Sequence, residues 1–81
     1  MNIIEATKKA LKENKAITTP EDKEHGIVFV PTNSMPLGIV IVPTEPGLEK
    51  VEGIYKEKWT SACKFWNPKA EDLLRDDWEL F

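Results

Sequence analysis

Three tryptophans stand at positions 59, 66 and 78, and the residues between them include several that can hold a ligand: Thr60, Ser61, Asn67, Asp72, Asp76 and Asp77. Indole faces stack on nucleobases, an interaction worth about 1–3 kcal/mol per base. They also anchor small cores, each burying up to about 250 Å². The residue types leave both readings open. Asp72 and Asp76 lie four apart, so on a helix they share a face, and with Asp77 they form a carboxylate cluster suited to acid–base work or Mg²⁺. Magnesium sites usually add substrate phosphates, and the chain has no glycine-rich phosphate loop. Solvated helix carboxylates are therefore the plainer reading.

The other reactive side chains are isolated. His25 is the single histidine, in the charged run Glu21–Gly26, with no serine or cysteine nucleophile at a motif spacing. A solvated loop histidine is expected. Cys63 needs a basic neighbour and exposure to act as a thiolate. Adjacent Lys64 points to the opposite face of a strand, so a buried structural cysteine is expected. No nucleophile, base and oxyanion hole come together, and the chain is expected not to be an enzyme. Metal and cofactor sites are not expected either.

The elements that must position these residues are few. Asn2 to Asn14 reads as a helix, with Asn2 and Glu5 as a capping-box variant and Ile3, Ile4, Ala10 and Leu11 at helical spacing. Asn14 suits the left-handed position that follows it. Ala16–Thr19 reads as a short strand closed by Pro20, and Glu21–Gly26 as a charged loop. Ile27–Val30 and Leu37–Val42 read as an antiparallel pair joined by Pro31–Pro36, long for a hairpin and so a candidate binding loop that offers Asn33 and Ser34. Both strands are apolar on successive residues, which suits strands covered on both faces.

Pro43–Gly47 is a breaker-rich loop, and Val51–Tyr55 and Lys58–Phe65 read as further strands. In the second of these Phe65 and Trp66 face opposite ways. The tail from Asn67 reads as a short helix capped by Asn67, with Pro68 first and Ala70, Leu73 and Leu74 forming its apolar face. Trp66 and Trp78 pin its two ends. The sum is one α+β domain over residues 1–81: a small antiparallel sheet, an N-terminal helix and a short C-terminal helix, assembling as an oligomer.

Size supports the last point. A chain of 81 residues buries only about 60–65% of its unfolded surface. One cysteine and one histidine supply neither disulfide nor metal, so association is the remaining common source of stability. Two helices cover one sheet face, which leaves the other for a second copy. A net charge of −3 argues against DNA or RNA as partner. The apolar runs are strand-length, too short for a bilayer, and no signal-peptide core follows Met1. An intracellular protein with a reduced Cys63 is expected.

The tail also carries a likeness. Trp66, Pro68, Glu71, Asp72, Leu73, Leu74, Asp77, Trp78 and Glu79 keep, without gaps, the spacing of the C-terminal signature of a family of small phage and prophage domains. Asn67 is a frequent family choice, and Ala10-Leu11-Lys12-Glu13 is similar to the family's first helix. The chain thus resembles the second type of Thoeris anti-defence protein. It departs from the pattern at Lys69, where the family has Ser or Thr, and at Thr18-Thr19-Pro20-Glu21-Asp22, where a Trp-Asn-Gly segment is common. Asn14 replaces a usual glycine.

The resemblance implies a homotetramer with nucleotide pockets between subunits, acting in the cytoplasm of an infected bacterium. It implies capture, without cleavage, of a cyclic ADP-ribose-type signal (glycocyclic ADP-ribose isomers, with cyclic dinucleotides as further candidates). Within that frame Trp66 or Phe65 would stack on adenine, Asn67 would read a base edge, and Asp72 or Asp77 would accept ribose hydroxyls. Thr60, Ser61, Asn33, Ser34 and Lys64 would donate to phosphate. Two other classes compete: a phage factor that binds a host protein through its apolar strands, and a degrading enzyme built on Asp72 and Asp76.

Overall fold

The computed structural model describes residues 1–34, 38–57 and 65–81. Helix α1 (Ile3–Glu13) begins where Asn2 accepts the Glu5 backbone N–H at 2.9 Å, and it ends at Asn14, which is left-handed at φ 55°. Both caps follow the sequence expectation. The buried stripe differs in part. Ala6 and Ala10 are fully buried and Ile3 is partly buried, while Ile4 and Leu11 are exposed. Small residues on that stripe let the helix backbone approach the sheet closely.

Among the described residues four antiparallel strands form the sheet in the order β3-β2-β1-β6: β1 (Ile17–Thr18), β2 (Ile27–Pro31), β3 (Ile39–Pro43) and β6 (Glu79–Leu80). The register pairs Ile17 with Phe29 and Leu80, and Phe29 with Ile41. Residues paired across antiparallel strands share a face. Ile17, Ile27, Phe29, Ile39, Ile41 and Leu80 therefore lie on one face, with Ala6, Ala10 and Trp78 packed on it as the core. Val28, Val30, Val40 and Val42 lie on the other, where Val28 is buried and the other three are half-buried. The fold is α+β, with a small antiparallel sheet, a helix at the N-terminus and a short helix near the C-terminus. Among the described residues no helix is long and apolar enough to cross a membrane.

Three sequence expectations change. The charged run after Thr19 is a helix, α2 (Pro20–Glu24), because Thr19 caps it: the Asp22 N–H donates to Thr19 Oγ1 at 3.2 Å, and the Thr19 hydroxyl donates to Asp22 Oδ2 at 2.9 Å. Val51–Tyr55 is not one strand. It is the tip of a hairpin, β4 (Leu48–Val51) and β5 (Ile54–Glu57), closed by Glu52 and Gly53 at φ 52° and 81°. Positive φ at both turn residues matches the twist of a two-residue hairpin loop.

The third change concerns the tail helix. Helix α3 (Ala70–Leu74) starts two residues later than Asn67 implies, with Lys69 at the cap. Lysine offers no acceptor, so the cap bond comes from Asp72, its Oδ2 accepting the Lys69 N–H at 2.7 Å. No α3 residue is buried; Leu74 is 83% exposed. Of the expected strand Lys58–Phe65, residues 58–64 lie outside those described, and Phe65 forms an antiparallel bridge to Val40 on the side of β3 away from β2.

One turn demands glycine. Gly26 has φ 76°, its carbonyl accepts the Thr44 N–H at 2.8 Å, and its backbone lies directly on that of Gly47 in a 3₁₀ turn (Glu45–Gly47). A methyl group there would meet the Gly47 main chain. Gly53 also has positive φ but faces open space. Gly26→Ala is expected to cost at least ~2 kcal/mol in urea denaturation, and Gly53→Ala only about 1 kcal/mol, the backbone strain alone.

Candidate functional site

Trp66 is placed by the edge of β3. Its N–H donates to the Ile39 carbonyl at 2.9 Å, which turns the indole toward the core face, while Phe65 one residue earlier bridges Val40 on the valine face and is 60% exposed. The two candidate stacking residues are thus on opposite sides of the sheet. Trp66 reaches a cavity. Its ring lies 4.9 Å from Phe29 at a tilt of 46° and meets Trp78 edge-on at 5.6 Å.

Trp78 belongs to the core. It is 2% exposed, and its Nε1–H donates to the Asp72 carbonyl at 3.0 Å, fastening α3 to the aromatic cluster. Its own N–H donates to the Met1 carbonyl, while the Met1 ammonium donates to the Asp76 and Trp78 carbonyls.

The half-buried Trp66 indole walls two hollows. The first is a cleft of about 450 Å³ with α2 on one side and the start of α3 on the other. Its floor is Ile27, Phe29 and Ile41, and its sides are Glu21, Asp22, Lys69, Glu71, Asp72 and Arg75. The second is a groove of about 410 Å³ between α1 and α3, mostly apolar, formed by Ile3, Ile4, Ile39, Pro68 and Leu73 with Thr7 and Lys8. Both volumes are in the range of small-molecule sites.

Several predicted site residues are placed elsewhere. Asp72 lines the cleft. Asn67 is exposed and lines neither hollow, since the helix begins after it. Asn33 is exposed in the β2–β3 connection and reaches neither hollow. Thr60 and Ser61, with Trp59, Cys63 and Lys64, lie outside the described residues. Asp76 does not share a helical face with Asp72, because α3 ends at Leu74 and Asp76 follows the extended Arg75. Asp76 and Asp77 instead line a neighbouring hollow with Glu21, Glu71 and Arg75. Among the described residues no group of three His, Cys, Asp or Glu side chains is arranged to hold a metal.

The charged cleft residues that sequence reading passed over are Glu21, Asp22, Lys69, Glu71 and Arg75. The Thr19-Pro20-x-Asp22 cap was the available signal for the first two. Arg75 is the electrostatic hinge of the region. Its Nε and Nη2 donate to the two Asp77 oxygens at 2.6 and 2.7 Å, and its Nη1 lies 3.7 Å from Glu21. The Asp77 bond, above all, raises the guanidinium pKa further beyond its usual value, and the same bond holds the Asp77 carboxyl below the ordinary carboxylate range. Lys69 Nζ is 3.4 Å from Glu71.

No protein-family model, curated protein or solved structure matches the chain.

The Asp77 shift has a definite sign. A carboxyl with a lowered folded-state pKa contributes stability that is complete above the unfolded value and fades as pH falls through the folded one. Denaturation midpoints of wild type and Asp77→Asn should therefore differ by a constant amount above about pH 5, and the difference should shrink steadily on further acidification.

Proposed function

We propose that this protein is a non-enzymatic trap for a cyclic nucleotide signal of bacterial immunity, a glycocyclic ADP-ribose isomer or a cyclic dinucleotide, which it holds uncleaved in the cytoplasm of a phage-infected cell. The observation that carries this reading is the Trp66 cleft. It offers an aromatic wall for a base, carboxylates at Asp72 and Glu21 for ribose hydroxyls, and cations at Lys69 and Arg75. The family likeness of the tail supplies the ligand class.

The trap is proposed to act as a homotetramer. An open cleft retains a polar ligand poorly against water, and a second copy closing over it lengthens residence. Exposed Ile4, Phe65 and Leu74 favour such closure by offering apolar contact area.

A second reading has its own support. The strands proposed for host-protein contact, β2 and β3, are buried or half-buried, but the β4–β5 hairpin exposes Ile54 and Tyr55 at 62% and 69%. A two-stranded ribbon is marginal alone, and a partner protein would cover it.

Incubation with glycocyclic ADP-ribose should deplete the free ligand, and heat denaturation should return it chemically intact; recovery of a cleaved product would replace the trap with an enzyme. In calorimetry Trp66→Ala should weaken binding by roughly five- to 150-fold, the worth of one stacking partner. A wild-type protein that gives no heat with any cyclic ADP-ribose isomer would favour the protein-binding reading.

A further inference from the structure

The groove between α1 and α3 is apolar apart from Thr7 and Lys8. Lys8 is exposed on its wall and has no ion pair among the described residues. That wall is locally basic: α1 carries Lys8, Lys9 and Lys12 against Glu5 and Glu13, in a chain whose net charge is −3. An occupant of this groove therefore needs an apolar side chain to fill it and a neighbouring carboxylate to meet Lys8.

The chain presents that combination on its own surface. Leu74, at the end of α3, is the most exposed large apolar side chain among the described residues, at 83%. Glu71 stands three residues earlier on the same face of the helix, and its side chain is also largely exposed. Its pairing with Lys69 at 3.4 Å is a surface contact, which contributes little and exchanges readily for another. Copies of an acidic chain repel one another at most approaches. The lysines of α1 mark a place where the acidic α3 of a second copy is attracted instead.

We infer that the groove receives α3 of a second copy, with Leu74 seated in it and Glu71 paired to Lys8. The inference rests on the nucleotide-trap reading and names the surface through which the trap closes. Glu71 also lines the cleft. A neighbour's Lys8 at Glu71 therefore brings a cation to the cleft and leaves Lys69 to face the ligand's phosphates. A lone protomer lacks this, since its two cleft cations are engaged by Asp77, Glu21 and Glu71. The docked copy completes the site as well as covering it.

Lys8, Glu71 and Leu74 are all exposed, so substituting them spares the fold, which circular dichroism would verify. Sedimentation equilibrium of the full chain should show a multimer. Leu74→Gln should weaken its association about ten- to 150-fold, the worth of one buried leucine. Lys8→Glu and Glu71→Lys should each dissociate it by placing like charges together. Mixing those two variants should restore it, because each reversed charge then meets its opposite. Calorimetry with glycocyclic ADP-ribose should show weaker binding to Leu74→Gln and to Lys8→Glu, neither of which alters the cleft lining.

A wild-type protein that stays a lone protomer would overturn the docking and leave the groove to another partner. So would a multimer that all three substitutions leave intact. Unchanged ligand affinity in dissociated variants would overturn the dependence of the cleft on the second copy. A multimer that dissociates as described yet binds no cyclic ADP-ribose isomer would keep the docking and overturn the nucleotide reading.

Discussion

Most of this fold depends on one buried side chain. Trp78 fills the space between α1 and the sheet and packs edge-on against both Phe29 and Trp66. Its ring nitrogen holds the Asp72 carbonyl, so a helix that buries nothing of its own is still fixed in place. An indole is well suited to this task. It contributes a large apolar surface to a small core and keeps one polar atom to fasten a neighbouring segment. Among the described residues no other buried side chain is as large.

The candidate site follows from that anchoring. Because Trp78 fixes α3, Lys69, Glu71, Asp72 and Arg75 face α2 across a gap floored by the sheet. On the other side α2 is held by the Thr19 cap and by the close contact between Gly26 and Gly47. The cleft is therefore framed by two short helices, each held by contacts outside itself. Arg75 adds a bridge between them through Glu21 and Asp77. Exposed ion pairs of this kind add little stability, and here the bridge matters more for where charge sits than for holding the fold.

Much of the frame was legible in the residues. The caps Asn2 and Asn14, the strand Ile27–Val30, its antiparallel partner and the opposite facing of Phe65 and Trp66 all appear as expected. These rest on local chemistry or on strict alternation. Strand β6 was not legible, since Glu79 and Leu80 have no strand pattern and pair with β1 only because Trp78 delivers them there. The site was less legible than the fold. Asn67 and Asn33 were attractive for their amides, yet neither lines the two hollows beside Trp66. Glu21 and Asp22 look like ordinary solvent charges until α2 turns them toward Trp66. A cleft formed between elements distant in sequence leaves no spacing signature.

Trp66 stands with a charged cleft on one side and an apolar groove on the other. A substitution there reshapes both spaces at once, and a tilt of the ring that widens one narrows its neighbour. Change at this position must satisfy two sets of requirements together, so the two hollows are not independently tunable: retuning either while sparing the other has to come from residues that border only one of them.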